Sequence, residues 1–179
     1  RLYINPKPVV VRPDPGQNKT YGSDDPVLRF TIIPELIRGD VASGSLSRVS
    51  GENAGLYAIN KGTLSLGQNY SLTWSPENFS INKAPLNVTA GSKERRYLES
   101  NPDFEISYSG FVRGEDISVL DILPSLSPIP DTLSDAGEYP VIVSGGSDNN
   151  YSFNYLSGLL TINKADQQII SFNSLPKFL

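Results

Sequence analysis

Residues 69–85, "NYSLTWSPENFSINKAP", return at 150–166 as "NYSFNYLSGLLTINKAD". Both copies are apolar at every second position. The first carries Tyr70, Leu72 and Trp74, then Phe79 and Ile81; the second carries Tyr151, Phe153 and Tyr155, then Leu160 and Ile162. A period of two lines one face of a pleated strand, so each run predicts a half-buried strand. Turn residues in "SPEN" at 75–78 and "LSG" at 156–158 separate the runs, and the connection is short enough for a hairpin. A chain that says this twice is a tandem repeat, and repeats decide architecture before single motifs do.

Three more anchors precede the pair in the same order. "KTYGSDDP" at 19–26 matches "RRYLESNP" at 95–102, "LIRGD" at 36–40 matches "FVRGE" at 111–115, and "NAGLY" at 53–57 matches "DAGEY" at 135–139. The offset is 76 between Tyr21 and Tyr97 but 82 between Tyr57 and Tyr139, which places an insertion in the second repeat around "ILPSLSPIPD" at 122–131. Further alternating runs complete each repeat. They are Val9 and Val11; Leu28, Phe30 and Ile32; and Tyr57 and Ile59. Their counterparts are Leu86, Val88 and Ala90; Phe104, Ile106 and Tyr108; and Tyr139, Val141 and Val143. Only "EDISVLDIL" at 115–123 has helical spacing, through Ile117, Leu120 and Leu123, and it predicts a turn or two at most.

These readings give an all-β protein of two small antiparallel domains arranged end to end, residues 1–84 and 85–165. Each is an immunoglobulin-like sandwich or a β-grasp-like sheet with a very short helix; pairing order is invisible to periodicity. Residues 2–8, "LYINPKP", resemble the closing "FSINKAP" at 79–85, so 1–8 reads as the tail of a preceding repeat, and 166–179 reads as the start of a further repeat or a C-terminal extension. No Gly/Ser linker separates the domains. The strand closing the first should run through Lys83-Ala84-Pro85 almost directly into the next, giving a semi-rigid rod.

Composition narrows the function. The chain has 38% apolar residues, 19% charged residues and a net charge of −4, without a basic stripe for nucleic acid or an apolar run able to cross a membrane. It contains neither Cys nor His, which removes thiolate chemistry, the usual zinc ligands and the middle member of a Ser-His-Asp relay. A carboxylate pair of the glycosidase type remains, but with 19 Asp and Glu some close pair arises by chance. The sequence therefore predicts no enzyme, no cofactor and no catalytic, cofactor-binding or metal-binding residues.

At its anchors the chain resembles the MBG domain family of YGX type, repeated in tandem in large exported bacterial proteins. The pattern runs through Tyr21, Gly22, Pro26, Gly39, Asp40, Ala54, Gly55, Tyr57, Asn69 and Tyr70. It recurs through Tyr97, Pro102, Gly114, Ala136, Gly137, Tyr139, Asn150 and Tyr151, with Leu98 where glycine is usual. The resemblance implies a non-enzymatic extracellular module on a bacterial surface, in Bacteroidota, acting in adhesion or as a spacer. A glycan-binding module or an accessory domain of a carbohydrate-active enzyme is the alternative. The implied partners are host or environmental glycans or glycoproteins and neighbouring repeats, and the implied state is a monomer.

Other motifs have simpler readings. Arg38-Gly39-Asp40 spells a tripeptide read by animal adhesion receptors, yet its repeat partner is Arg113-Gly114-Glu115, which keeps a turn and changes the acid. Asn18, Asn69, Asn78, Asn87 and Asn150 open glycan-acceptor triplets that arise readily by chance. The acidic segments at 22–26 and 145–150 read as turns rather than calcium loops. Most tyrosines and Trp74 fall on the core alternation; Tyr3, Tyr108 and Tyr155 are the ones left to line a sugar platform.

Overall fold

The computed structural model describes residues 5–166, so Tyr3 and the segment beyond Asp166 lie outside the description. The first repeat forms β1 (Lys7–Pro13), β2 (Asn18–Thr20), β3 (Phe30–Ile33), β4 (Ser47–Arg48), β5 (Gly55–Asn60), β6 (Tyr70–Trp74) and β7 (Asn78–Asn82). The second forms β8 (Ala84–Ala90), β9 (Lys93–Arg96), β10 (Ile106–Ser109), β11 (Ser125–Leu126), β12 (Gly137–Val141), β13 (Val143–Ser144), β14 (Tyr151–Leu156) and β15 (Gly158–Asn163). The helical candidate becomes a single 3₁₀ turn, Ile117–Val119, because Asp116 caps it by accepting from the Ser118 N–H. No helix among the described residues is long and apolar enough to cross a membrane.

The all-β expectation holds, with one correction. The last two strands of each repeat do not form hairpins. In the first repeat β6 joins a sheet of order β3-β1-β6 while β7 joins a sheet of order β2-β7-β5-β4. The second repeat does the same, with orders β10-β8-β14 and β12-β15-β9 beside a small β11-β13 pair. The physical reason lies in the alternation itself. A hairpin would lay both apolar faces on one side of one sheet, where they would need another layer to cover them. Moving the chain between sheets lets Tyr70 on β6 and Phe79 on β7 each be buried from a different sheet. This separation also makes β1 and β6 parallel, in the register Lys7↔Tyr70 to Val11↔Trp74, and β2 and β7 parallel as well. β9 and β15 repeat the device, so the sheets are mixed rather than wholly antiparallel.

Val9, Val11, Ile59, Phe79 and Ile81, all on alternating positions, are at most 2% exposed. Leu46, Leu64 and Leu66 complete that core from outside the predicted strands, held where Ser43 and Ser65 form an isolated bridge. Three apolar residues in a Ser/Gly-rich stretch carried too little signal to be read as a strand. Val141, Val143, Leu160 and Ile162 are buried in the second repeat in the same way.

By compactness the chain divides into two units. The first is Arg1–Leu86 with Ser109–Leu123 and Gly146–Asn154; the second is Asn87–Tyr108, Pro124–Gly145 and Tyr155–Leu179. Thus the Arg-Gly-Glu turn and the Asn-Tyr segment of the second repeat belong with the first repeat. Only Lys83 separates β7 from β8, as the missing linker implied, and its ammonium donates to the Asp148 carbonyl at 2.7 Å.

Candidate functional site

The Arg-Gly-acid segments are turns, as the repeat comparison predicted. The Asp40 N–H donates to the Ile37 carbonyl and the Glu115 N–H to the Val112 carbonyl. Gly39 at φ +100° and Gly114 at φ +75° both occupy left-handed backbone. What fastens each turn is the tyrosine of the Asn-Tyr strand. The Tyr70 hydroxyl accepts from the Ile37 N–H and donates to Asp40, at 2.8 and 2.7 Å. The Tyr151 hydroxyl accepts from the Val112 N–H and donates to Glu115. The acid therefore has an internal task, which explains why Asp and Glu alternate there.

In the second repeat this turn also holds a neighbour. The other Glu115 oxygen accepts from the Tyr21 hydroxyl at 2.6 Å, and Arg113 lies over the Tyr21 ring while pairing with Glu52 at 3.1 Å. Tyr151 packs edge-on against both Tyr21 and Phe111, with ring centroids 5.6 and 5.3 Å away. Asn150 Oδ1 accepts from the Ala54 N–H at 2.9 Å. Val112 lies against Gly22, where an added Cβ would stand 2.5 Å from a Val112 methyl carbon; the glycine of the Tyr-Gly signature is needed for close approach as well as for its φ of +87°. Burial and the bond to Glu115 push the Tyr151 hydroxyl up to about 12, and the same carboxylate raises that of Tyr21. Both phenols stay protonated donors at neutral pH, and hydrogen bonds from them to a carboxylate contribute about 1.5–3 kcal/mol each. The joint thus unites the repeat anchors Tyr21, Gly22, Ala54, Gly114, Asn150 and Tyr151, which sequence reading had identified only as family signatures.

Deeper in the first repeat lies a charged cluster that sequence reading missed. Lys19 and Arg48, whose side chains are 4% and 6% exposed, bridge Asp25 and Glu52 at 2.5–2.7 Å. Arg48 also donates to the carbonyls of Val49 and Gly51 and stacks over Tyr57 and Phe79. Hydrogen bonds from Arg48 hold the Asp25 carboxyl down at about 2, and Lys19 with Arg48 does the same for Glu52. Asp25, Arg48 and Glu52 of this cluster line a cleft of about 540 Å³ with Pro26, Val27 and Leu46. Lys19 and Asp25 sit beside the Tyr-Gly signature, but nothing in their spacing announces Arg48, on β4, or Glu52, in the loop after it, and neither is a repeat anchor.

Several other sequence candidates are occupied by local structure. Asp148, 8% exposed, accepts from the N–H groups of Asn150 and Tyr151 and so builds its turn. Asp25 is held by the two cations. Among the described residues no group of three or more His, Cys, Asp or Glu is placed to hold a metal ion. Asn18 donates to the Gly16 carbonyl and accepts from Asn82. The Tyr57 and Tyr139 hydroxyls each arch back four residues, to the carbonyls of Asn53 and Asp135. Trp74 is half-buried, and Tyr155, 40% exposed, donates to the Gly145 carbonyl. Among the described residues, no buried side-chain nitrogen or oxygen lacks a hydrogen-bond partner.

A family model described as MBG domain (YGX type) matches the chain twice, at residues 9–80 and 86–161. No curated protein matches it.

Proposed function

We infer function from membership: the chain belongs to the MBG domain (YGX type) family, in two tandem copies. It is a repeat module, and the role proposed for it is that of a non-enzymatic segment in an exported bacterial surface protein, serving as a spacer or an adhesive stretch. The observation that best supports this reading is the joint of Tyr21, Gly22, Val112 and Glu115, where signature residues of one repeat are spent on holding the next.

Surface exposure is tested by labelling intact and permeabilised cells with antibody to this segment, and signal confined to permeabilised cells would remove the assignment. Spacer and adhesive roles separate on glycan and mucin arrays, where a spacer gives no saturable binding. Saturable binding lost when the cleft of Asp25, Arg48 and Glu52 is altered would favour the glycan-binding alternative, for which that cleft of about 540 Å³ offers a seat. A catalytic domain encoded beside the repeats would favour the accessory-domain alternative. Polysaccharide hydrolysis by the purified segment would overturn the non-enzymatic reading.

A further inference from the structure

The turn of the second repeat is docked on a Tyr-Gly segment, and the turn of the first repeat carries the same wiring with nothing docked among the described residues. Tyr70 holds Ile37 and Asp40 as Tyr151 holds Val112 and Glu115. The outer groups differ in occupancy. Val112 is half-buried against Gly22, whereas Ile37 is 56% exposed. Arg113 pairs with Glu52, whereas Arg38 is exposed and makes no hydrogen bond or ion pair with any described residue. Glu115 uses its second oxygen on Tyr21, whereas Asp40 Oδ1 accepts from no described residue. The Asn150 side chain holds Ala54, and that of its counterpart Asn69 bonds to no described residue.

Beside the turn opens a cleft of about 250 Å³, lined by Asn5, Pro6, Lys7, Ile37, Gln68 and Asn69. The equivalent place in the second repeat is where the Tyr21 ring packs against Tyr151. The backbone around the cleft is equivalent too. The Lys7 N–H donates to the Asn69 carbonyl as the Ala84 N–H donates to the Asn150 carbonyl, which aligns Asn5 with Asn82, the residue whose carbonyl accepts from the Tyr21 N–H.

We propose that this face of the first repeat is a docking surface for the Tyr-Gly turn of another MBG domain, one that precedes it in the same polypeptide. The incoming tyrosine ring enters the cleft and its hydroxyl donates to Asp40. The incoming glycine lies under Ile37, and a carboxylate at the position of Glu52 meets Arg38. The occupant follows from continuity with the joint already described. There, a strand-to-strand passage through one residue carries the Tyr-Gly turn with it, and "NPKP" at 5–8 stands in register with "NKAP" at 82–85. The proposal rests on reading the joint as a repeat-to-repeat contact, so the test checks both.

The 179-residue chain is compared with a chain in which a copy of residues 5–81 is fused directly before Asn5. A second extension, a copy of residues 82–162 carrying Leu98→Gly, guards against failure of the first to fold. The readout is relaxation of the Ile37 methyl signals by a soluble paramagnetic probe. Strong relaxation in the parent chain should fall several-fold in a folded extension and return when the added copy of 5–81 carries Gly22→Leu. Equal relaxation in the parent and both extensions, or indifference to Gly22→Leu in the copy, overturns the proposal. As the control, Val112 methyl groups in the parent chain should be shielded and Gly22→Leu should expose them; failure there removes the joint itself and the proposal with it.

Discussion

Lys19 and Arg95 occupy the same place in their repeats, two residues before the signature tyrosine, and both are buried. Around Lys19 the loop is clasped by ions, with Arg48, Asp25 and Glu52. Around Arg95 it is clasped by neutral groups. The guanidinium donates to Asn101 Oδ1 at 2.7 Å and to the carbonyls of Asp131 and Arg96, and Asn101 donates to the Pro130 carbonyl. Asn101 stands where the first repeat has Asp25, so one position exchanges a carboxylate for an amide and the cation turns to backbone carbonyls instead. The fold requires a buried cation that ties the Tyr-x-x-x-x-Pro loop to the segment before the Ala-Gly strand. It is indifferent to whether the counter-groups carry charge.

That contrast can be broken most forcefully at Arg48. Arg48→Ala removes the buried guanidinium with its stacking on Tyr57 and Phe79 and its bonds to the Val49 and Gly51 carbonyls, and should destabilise the first repeat by about 2–3 kcal/mol, chiefly through that lost packing because both carboxylates are part-exposed. Thermal unfolding followed at the Ile59 methyl would register the loss, and Val141 would report a smaller change.

Acid should reach part of the same loss without a mutation. The Asp25 and Glu52 carboxyls lie at about 2 in the folded protein, below the ordinary 3.8 and 4.5. Their stabilisation is present above those ordinary values and is lost as pH falls through them toward about 2. Melting at pH 2.5 should therefore lower the Ile59 midpoint more than the Val141 midpoint, since the Arg95 clasp uses an amide and carbonyls. Equal shifts would mean that the ionic clasp contributes nothing particular to the first repeat.

A second pair sharpens the lesson at smaller amplitude. Gly22 and Leu98 share the turn after the signature tyrosine, at φ +87° and +70°. Leucine there keeps the left-handed geometry at a cost of roughly 1–2 kcal/mol. Gly22→Leu adds that strain to a collision with Val112, and should destabilise by about 2 kcal/mol and free the turn at 112–115 from Tyr21. Leu98→Gly should instead stabilise by about 1 kcal/mol, measured by denaturant midpoint, because the exposed Leu98 gives up little packing. The smallest effect belongs to Asp40→Glu, expected within about 0.5 kcal/mol because Glu115 makes the equivalent contact. A larger loss, or loss of cell binding with folding intact, would return the Arg-Gly-Asp segment to the receptor reading.

The sequence was legible wherever a residue's task depends on its own strand or turn. Period-two alternation located the strands of Val9 and Val11, Tyr70 and Leu72, and Phe79 and Ile81, because one strand face is buried whatever it pairs with. The control of "FVRGE" over "LIRGD" identified a turn, because turn geometry is set by a few neighbouring residues. Leu64 and Leu66 escaped because a two-residue alternation among Ser and Gly is weaker than the noise. Arg48 and Glu52 escaped because the second repeat performs their work with different groups, so no repeat signal marks them.

By itself, then, the sequence determined the repeat, its strands, its turns and the absence of Cys and His chemistry, all properties of local pattern and composition. Tertiary structure alone decided that β6 and β7 part into different sheets, that Asp40 and Glu115 serve tyrosines, and that Gly22 lies under Val112. Each of those depends on which distant segments share a core, and pairing between segments tens of residues apart leaves no period in the chain to be read.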